Sequence, residues 1–250
     1  MPSESPPATP RLSTRLRFGV AALLVAVGAA ASLAVAPDLP ARMVTRWNAA
    51  GEPTGTLPRT FGMWLVPGLA AGLLGLFALL PRIDPLGENI AAFRVHYDRF
   101  VVVFTAFLIA LHLAVLAVNL GYAVDVTTLA VAGGAALFYY VGTLLPHVEP
   151  NWFVGIRTPW TLSDDDVWEK THGLGARLFK LSAVIAAIGL LFGEYAVYFL
   201  VGPALATAAI TVGYSYVLYA RGQRDGDGGG DEESDEGDGT DGDAATRTAK

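Results

Sequence analysis

Apolar residues run through this chain in long blocks rather than at helical or strand spacing. Six blocks approach or exceed the roughly 20 residues that cross a hydrocarbon core as a helix. They are Phe18–Ala36, Phe61–Leu80, Phe100–Val124, Val126–Leu145, Leu178–Gly193 and Tyr195–Ala220. Five of them hold no Asp, Glu, Lys or Arg and so offer no charged face to water. The fifth block is interrupted by Lys180, near enough to one end for its ammonium to reach the interface. The pattern predicts an all-α integral membrane protein with six transmembrane helices. A single charge, Asp125, separates the third block from the fourth, and Glu194 separates the fifth from the sixth, which predicts two tight antiparallel hairpins. Pro67 and Pro203 fall inside blocks, where a bundle tolerates them if neighbours satisfy the released carbonyls.

Arg11, Arg15 and Arg17 precede an apolar run ending Ala34-Val35-Ala36, a pattern shared with signal peptides. The 19-residue run is longer than the roughly 7–15 of such a region and Pro37 follows it directly, so a retained first helix is expected. The basic residues set the orientation. Arg82, Arg94 and Arg99, then Arg157, Lys170, Arg177 and Lys180, then Arg221 and Arg224 fall on the side of the N-terminal arginines, against Arg42, Arg46 and Arg59 on the other. Both termini are therefore expected in the cytoplasm of a multi-pass plasma-membrane protein. Residues 1–17 form an inner segment, 18–80 a helix pair around an outer loop at 37–60, 81–220 a four-helix region with a cytoplasmic loop at 146–177, and 221–250 a disordered acidic tail.

Composition agrees: 53% of residues are hydrophobic and 16% charged, which excludes an ordinary dissolved domain. The net charge of −6 misleads as an average. Residues 1–224 carry 15 basic and 13 acidic side chains, whereas 225–250 carry 2 and 10, around the low-complexity Gly228-Gly229-Gly230. With only 3 lysines among 17 basic residues, this acidic tail suits a halophilic, high-salt cytoplasm. The absence of cysteine removes disulfides, thiolate metal sites and cysteine nucleophiles. No zincin pattern, nucleophile elbow or phosphate-binding glycine loop is present, and no basic nucleic-acid patch. No catalytic residue, metal or cofactor is expected, and no direct nucleic-acid contact.

Two loops and one helix face carry the polar candidates. In the outer loop, Asn48-Ala49-Ala50-Gly51-Glu52-Pro53 is a turn-forming string behind Trp47, which suits either a turn anchored at the headgroups or a ligand site. The whole loop reads as an ordered turn system or a flexible cap. In the inner loop, Ser163 with Asp166 makes a capping-box-like start for a helix near Asp164. Along it Val167, Trp168, Thr171 and His172 share one side, and Gly173 and Gly175 are expected to loosen it. Trp152, Trp160 and Trp168 suit a segment lying in the membrane interface. Arg157 suits an anionic lipid, a phosphate or an ion pair with Asp164, Asp165 or Asp166. Within the blocks, His112 and Asn119 lie seven residues apart on one face, suited to an interhelical hydrogen bond or to a functional polar pair.

The string Asn151-Trp152-Phe153-Val154-Gly155-Ile156-Arg157-Thr158-Pro159-Trp160-Thr161-Leu162, followed by Val167-Trp168-Glu169-Lys170-Thr171-His172, closely resembles the signature of the SdpI family of membrane immunity proteins. Leu39-Pro40 through Trp47-Asn48-Ala49-Ala50-Gly51-Glu52-Pro53 looks like the small domain of unknown function that often precedes it, with Arg46 where that pattern often has histidine. The resemblance implies a non-enzymatic protein that protects against a membrane-active toxin peptide, with signalling to a cytoplasmic transcriptional repressor. Its expected contact residues are Trp47, Asn48, Gly51 and Pro53 outside, and Asn151, Gly155, Arg157, Thr158, Pro159, Trp160, Thr161, Trp168, Thr171 and His172 inside. Membrane lipids are the surrounding partner, and the sequence does not specify an oligomeric state. Two other readings stand beside it: a transporter of a small amphiphile past His112 and Asn119, and a membrane-embedded enzyme using the inner loop.

Overall fold

The structure, a computed structural model, describes residues 11–227. In order it contains α1 (Arg11–Val35), β1 (Arg42–Trp47), β2 (Pro53–Pro58), α2 (Arg59–Ile83), a short α3 (Gly87–Ala92), α4 (Arg94–Asn119), α5 (Val126–Leu144), α6 (Asp165–Gly189) and α7 (Ala196–Asp227). The tail beyond Asp227 and the first ten residues, on which the acidic-tail and part of the N-terminal expectations fall, lie outside the described residues.

Five continuous helical stretches are long and apolar enough to cross a membrane. The last, Asp165–Arg224, has 60 residues and, straight, would reach about 90 Å, roughly three hydrocarbon cores. It does not run straight. A 3-10 turn at Leu190–Tyr195 breaks it, with Gly193 at φ 55° in the left-handed region that disfavours a side chain. Beyond the break α7 returns along α6: Ser182 Oγ lies 3.0 Å from Thr207 Oγ1, and Phe192 stacks on Phe199. The turn beside Glu194 therefore separates two arms, so that the five stretches comprise six apolar arms.

The arms pack as two triads. One is α1, α2 and α4; the other is α5, α6 and α7; α4 against α5 joins them. The second triad depends on small residues, which let membrane helices approach closely. A Cβ on Gly142 of α5 would lie 2.7 Å from the Ala176 carbonyl oxygen of α6, and one on Gly189 would strike Phe199.

The first triad is tied by polar groups, and prolines explain where. Pro67 has no N–H, so the carbonyl of Met63, four residues earlier, loses its helical donor. Ser32 of α1 donates to that carbonyl at 2.9 Å. The hydroxyl proton being spent there, His112 Nε2 of α4 donates to Ser32 Oγ at 2.7 Å. Pro81 likewise releases the carbonyl of Phe77, and the Tyr97 hydroxyl of α4 donates to it at 2.7 Å. The expected interhelical hydrogen bond of His112 is thus present, and it completes the chain that satisfies a proline-released carbonyl.

The loop between α1 and α2 is more regular than its four prolines and two glycines predict. β1 and β2 form an antiparallel hairpin, pairing Arg42 with Pro58, Met43 with Leu57 and Val44 with Thr56. Fully buried Met43 plugs the hairpin into the bundle against Leu39, Met63 and Leu116. Asn119 holds its edge: the Val44 N–H donates to Asn119 Oδ1 at 2.7 Å, and Asn119 Nδ2 donates to the Val44 carbonyl at 3.0 Å. One side-chain amide thereby occupies the position of a third strand and blunts an open edge.

Candidate functional site

At the opposite end of α4 lies the connection between α5 and α6, which holds its shape through side chains bonded to its own backbone. Asn151 is fully buried. Its Oδ1 accepts from the N–H groups of Phe153 at 2.9 Å and Val154 at 2.7 Å, while Nδ2 donates to the carbonyls of Glu149 at 2.8 Å and Val154 at 3.0 Å. Thr161 Oγ1 accepts from the Thr158 N–H at 2.9 Å and donates to the Ile156 carbonyl at 3.0 Å. Thr158 Oγ1 lies 3.2 Å from Ser215 Oγ, tying the loop to α7.

His172 anchors the same loop to α6. Its Nε2 accepts from the Ile156 N–H at 3.0 Å, so the ring is neutral there and Nδ1 donates to the Trp168 carbonyl at 2.8 Å. The imidazole stacks on Trp168, ring centroids 4.1 Å apart, and Trp168 Nε1 donates to the Val148 carbonyl at 2.7 Å. Gly155 makes this possible, since a Cβ there would collide with His172 Nε2, and its φ of 114° suits glycine alone. Thr171 is fully buried on the neighbouring position.

Four expectations are corrected here. Asp164, not the Ser163–Asp166 box, caps α6 by accepting from the Val167 N–H at 3.0 Å; Ser163 instead donates to the Trp160 carbonyl at 3.1 Å. α6 runs unbroken through Gly173 and Gly175, and Gly175 leaves space for Ile156 rather than loosening the helix. Trp168 is buried rather than interfacial, with Trp152 half exposed and Trp160 edge-on to Tyr216. Arg157 is exposed and forms no ion pair among the described residues; Asp166 is paired with Lys170 at 3.0 Å.

The loop therefore divides by role. Asn151, Gly155, Thr158, Thr161, Trp168 and His172 brace it from within, and Trp152, Phe153, Arg157, Pro159 and Leu162 are presented outward. Beside them a cleft of about 430 Å³ is lined by Glu149, Asp165 and Glu169 over Trp168 and His172.

Sequence reading missed three supports. Asp84 accepts from the Trp152 N–H at 3.1 Å and the Leu86 N–H at 2.8 Å, and Asn89 Nδ2 donates to the Pro150 carbonyl at 2.6 Å, so the α2–α4 connection carries the loop from below. The turn signal Asp84-Pro85 was the available clue. Asp98 is fully buried with Arg94 Nε at 2.7 Å and Arg17 Nη1 at 3.9 Å. Its clue was the four-residue spacing from Arg94, since a buried carboxylate needs a partner.

At the hairpin end Asn48 closes the turn, accepting from the Glu52 N–H through Oδ1 at 2.9 Å and receiving the Gly51 N–H on its carbonyl at 3.0 Å. Pro53 opens β2. Half-buried Trp47 lines a second cleft of about 430 Å³ with Thr45, Arg46, Asn48, Thr127 and Val197. The Arg46 guanidinium rests on Gly55, where a Cβ would occupy its place. Behind this cleft Asp125 caps α5 by accepting from the Thr128 N–H and hydroxyl, which hold its carboxyl below its ordinary range. Asn119 belongs to this end through Val44, and fully buried His112 belongs to the α1–α2–α4 knot, so the structure does not bring the two together in one site. Among the described residues no three His, Cys, Asp or Glu side chains converge as a metal site.

Long apolar arms around internal polar ties, with a shaped loop at either end, define a multi-pass membrane protein. Residues 147–215 match the SdpI/YfhL protein family, and residues 23–71 match a domain of unknown function, DUF1648. The inner loop with α6 and most of α7 is thus similar to the SdpI family, and the first helix pair to that domain. It is similar to the immunity protein SdpI of Bacillus subtilis (strain 168), 22% identical over 204 residues that cover 81% of this chain and 95% of that protein. No solved structure matches it.

Proposed function

We propose that this chain is a membrane immunity protein whose hairpin end faces outward and meets a membrane-active peptide, and whose inner loop passes that event to a cytoplasmic regulator. The observation that carries the reading is the division of labour in the loop. Six signature residues are spent on its internal bonding and packing, which fixes Arg157 among the outward Trp152, Phe153 and Leu162. An exposed guanidinium on a braced loop that also presents aromatic and aliphatic side chains is the composition of a protein contact centre. The family and the name of its Bacillus relative support the same reading. The transporter alternative is weaker because His112 and Asn119 are occupied by Ser32 and Val44 at separate levels of the bundle. The enzyme alternative is weaker because Asp164, Asp166 and His172 are engaged in a cap, an ion pair and the loop anchor.

The test is survival of cells challenged with membrane-active peptides. Deleting the gene sensitises them, the wild-type chain restores resistance, and Arg157→Ala, expressed and folded at wild-type level, does not. Equal sensitivity with and without the gene would overturn the proposal.

A further inference from the structure

The two triads leave a fissure of about 290 Å³ between them at the inner-loop end. Phe77 and Leu80 of α2 form one wall and Val141 and Phe179 of α5 and α6 the other; Tyr97 of α4 completes the lining, with Val154–Ile156 of the inner loop as its roof. Three of its polar neighbours are already satisfied. The Tyr97 hydroxyl is bonded to Phe77, the Val154 N–H to Asn151 and the Ile156 N–H to His172. The space therefore offers an occupant chiefly apolar contact area. An apolar cavity of ~150 Å³ is enough to take up benzene, so this one accommodates a longer flexible chain.

Its surroundings identify the chain. Leu76 and Leu79, each next in sequence to a lining residue of α2, and Leu181, two residues past the lining Phe179 of α6, are exposed large apolar side chains, as on a surface that faces lipid. The exposed Arg82 guanidinium folds back onto the Ala78 carbonyl, next to Phe77, and forms no ion pair among the described residues. The stem of Lys180 packs at Gly142, beside Val141. Apolar walls within a membrane-spanning bundle, with Arg82 two residues beyond the lining Leu80 and Lys180 next to the lining Phe179, complement a phosphate attached to a hydrocarbon tail.

We infer that one acyl chain of a membrane phospholipid occupies this fissure, with its phosphate near Arg82, and supports the loop that carries Arg157 from beneath. The inference goes beyond the immunity reading, and its test needs no toxin.

Full-length protein is reconstituted in nanodiscs containing phosphatidylglycerol and phosphatidylcholine, doped with either lipid bearing a photoactivatable diazirine on one acyl chain. After irradiation the labelled peptides are mapped. Label is expected on Val154 or Ile156 together with Phe77 or Leu80, and more from phosphatidylglycerol than from phosphatidylcholine. Filling the fissure with Val141→Trp, or with Leu80→Phe should the first variant fail to fold, lowers label at Val154 and Ile156 roughly tenfold, while the lipid-facing Leu76 and Leu181 stay labelled. Label restricted to the lipid-facing positions, or undiminished at the roof after filling, would overturn the inference. Arg82→Gln removes the preference for phosphatidylglycerol; an unchanged preference would overturn the placement of the phosphate.

Discussion

The Ser32 hydroxyl donates to the Met63 carbonyl at 2.9 Å, and Met63 stands four residues before Pro67, whose missing N–H leaves that carbonyl without a helical partner. Ser32→Ala therefore strands a buried acceptor and deprives His112 Nε2 of its own, at a cost of about 1–3 kcal/mol. Restoring the N–H with Pro67→Ala in the same chain recovers part of that loss, because α2 then satisfies Met63 itself. Unfolding of the single and double variants in mixed detergent gives the coupling energy. Strict additivity of the two changes would show that the carbonyl is not what links them.

Asn119 is expected to be the residue on which hairpin docking depends. Asn119→Ala leaves the Val44 N–H and carbonyl facing a side chain that can bond neither. Hydrogen exchange at Val44 should rise while exchange in α5 and α6 stays as it was. Asn119→Asp, which keeps the acceptor and loses the donor, should lie between the two.

Gly155 and His172 form a second testable pair. Gly155→Ala meets two penalties, a φ of 114° and the collision with His172 Nε2, and should destabilise the loop by more than the roughly 1 kcal/mol of an ordinary left-handed alanine. Combining it with His172→Ala relieves the collision but not the backbone strain, so the pair should cost less than the sum of its members. Limited proteolysis between Phe153 and Leu162 reads the outcome, and full additivity would argue against the contact.

Topology can be read directly because the chain has no cysteine of its own. Glu52→Cys, on the exposed hairpin turn, should react with an impermeant maleimide on intact cells, and Ser163→Cys should react only after the membrane is opened. The reverse result would invert the proposed orientation and, with it, the assignment of the two loops.

The apolar arms were legible because blocks without charge leave a helix in lipid as the economical solution, and the turns at Asp125 and Glu194 fall where single charges interrupt them. The β-hairpin was hidden because its strands are six residues each, bracketed by prolines, and stabilised by Met43 and Asn119 rather than by alternation. In the signature loop the residue types were visible but not their direction. Asn151 and His172 read as contact residues, and the fold turns both inward, since a loop without regular structure must find donors and acceptors for its buried backbone in side chains. Asp84 and Asp98 were overlooked for the opposite reason: single acidic residues near helix ends read as solvated charges until packing buries them.

The matched segments, 23–71 and 147–215, fall largely in different triads, and α4 lies between them. One end of α4 reaches the hairpin through Asn119, its middle reaches the α1–α2 knot through His112, and its other end lines the fissure under the signature loop through Tyr97. This helix has little signature of its own, yet it is the axle on which both modules are mounted. A rotation of α4 about its axis would register at both membrane faces at once, with no other part of either module having to touch the other.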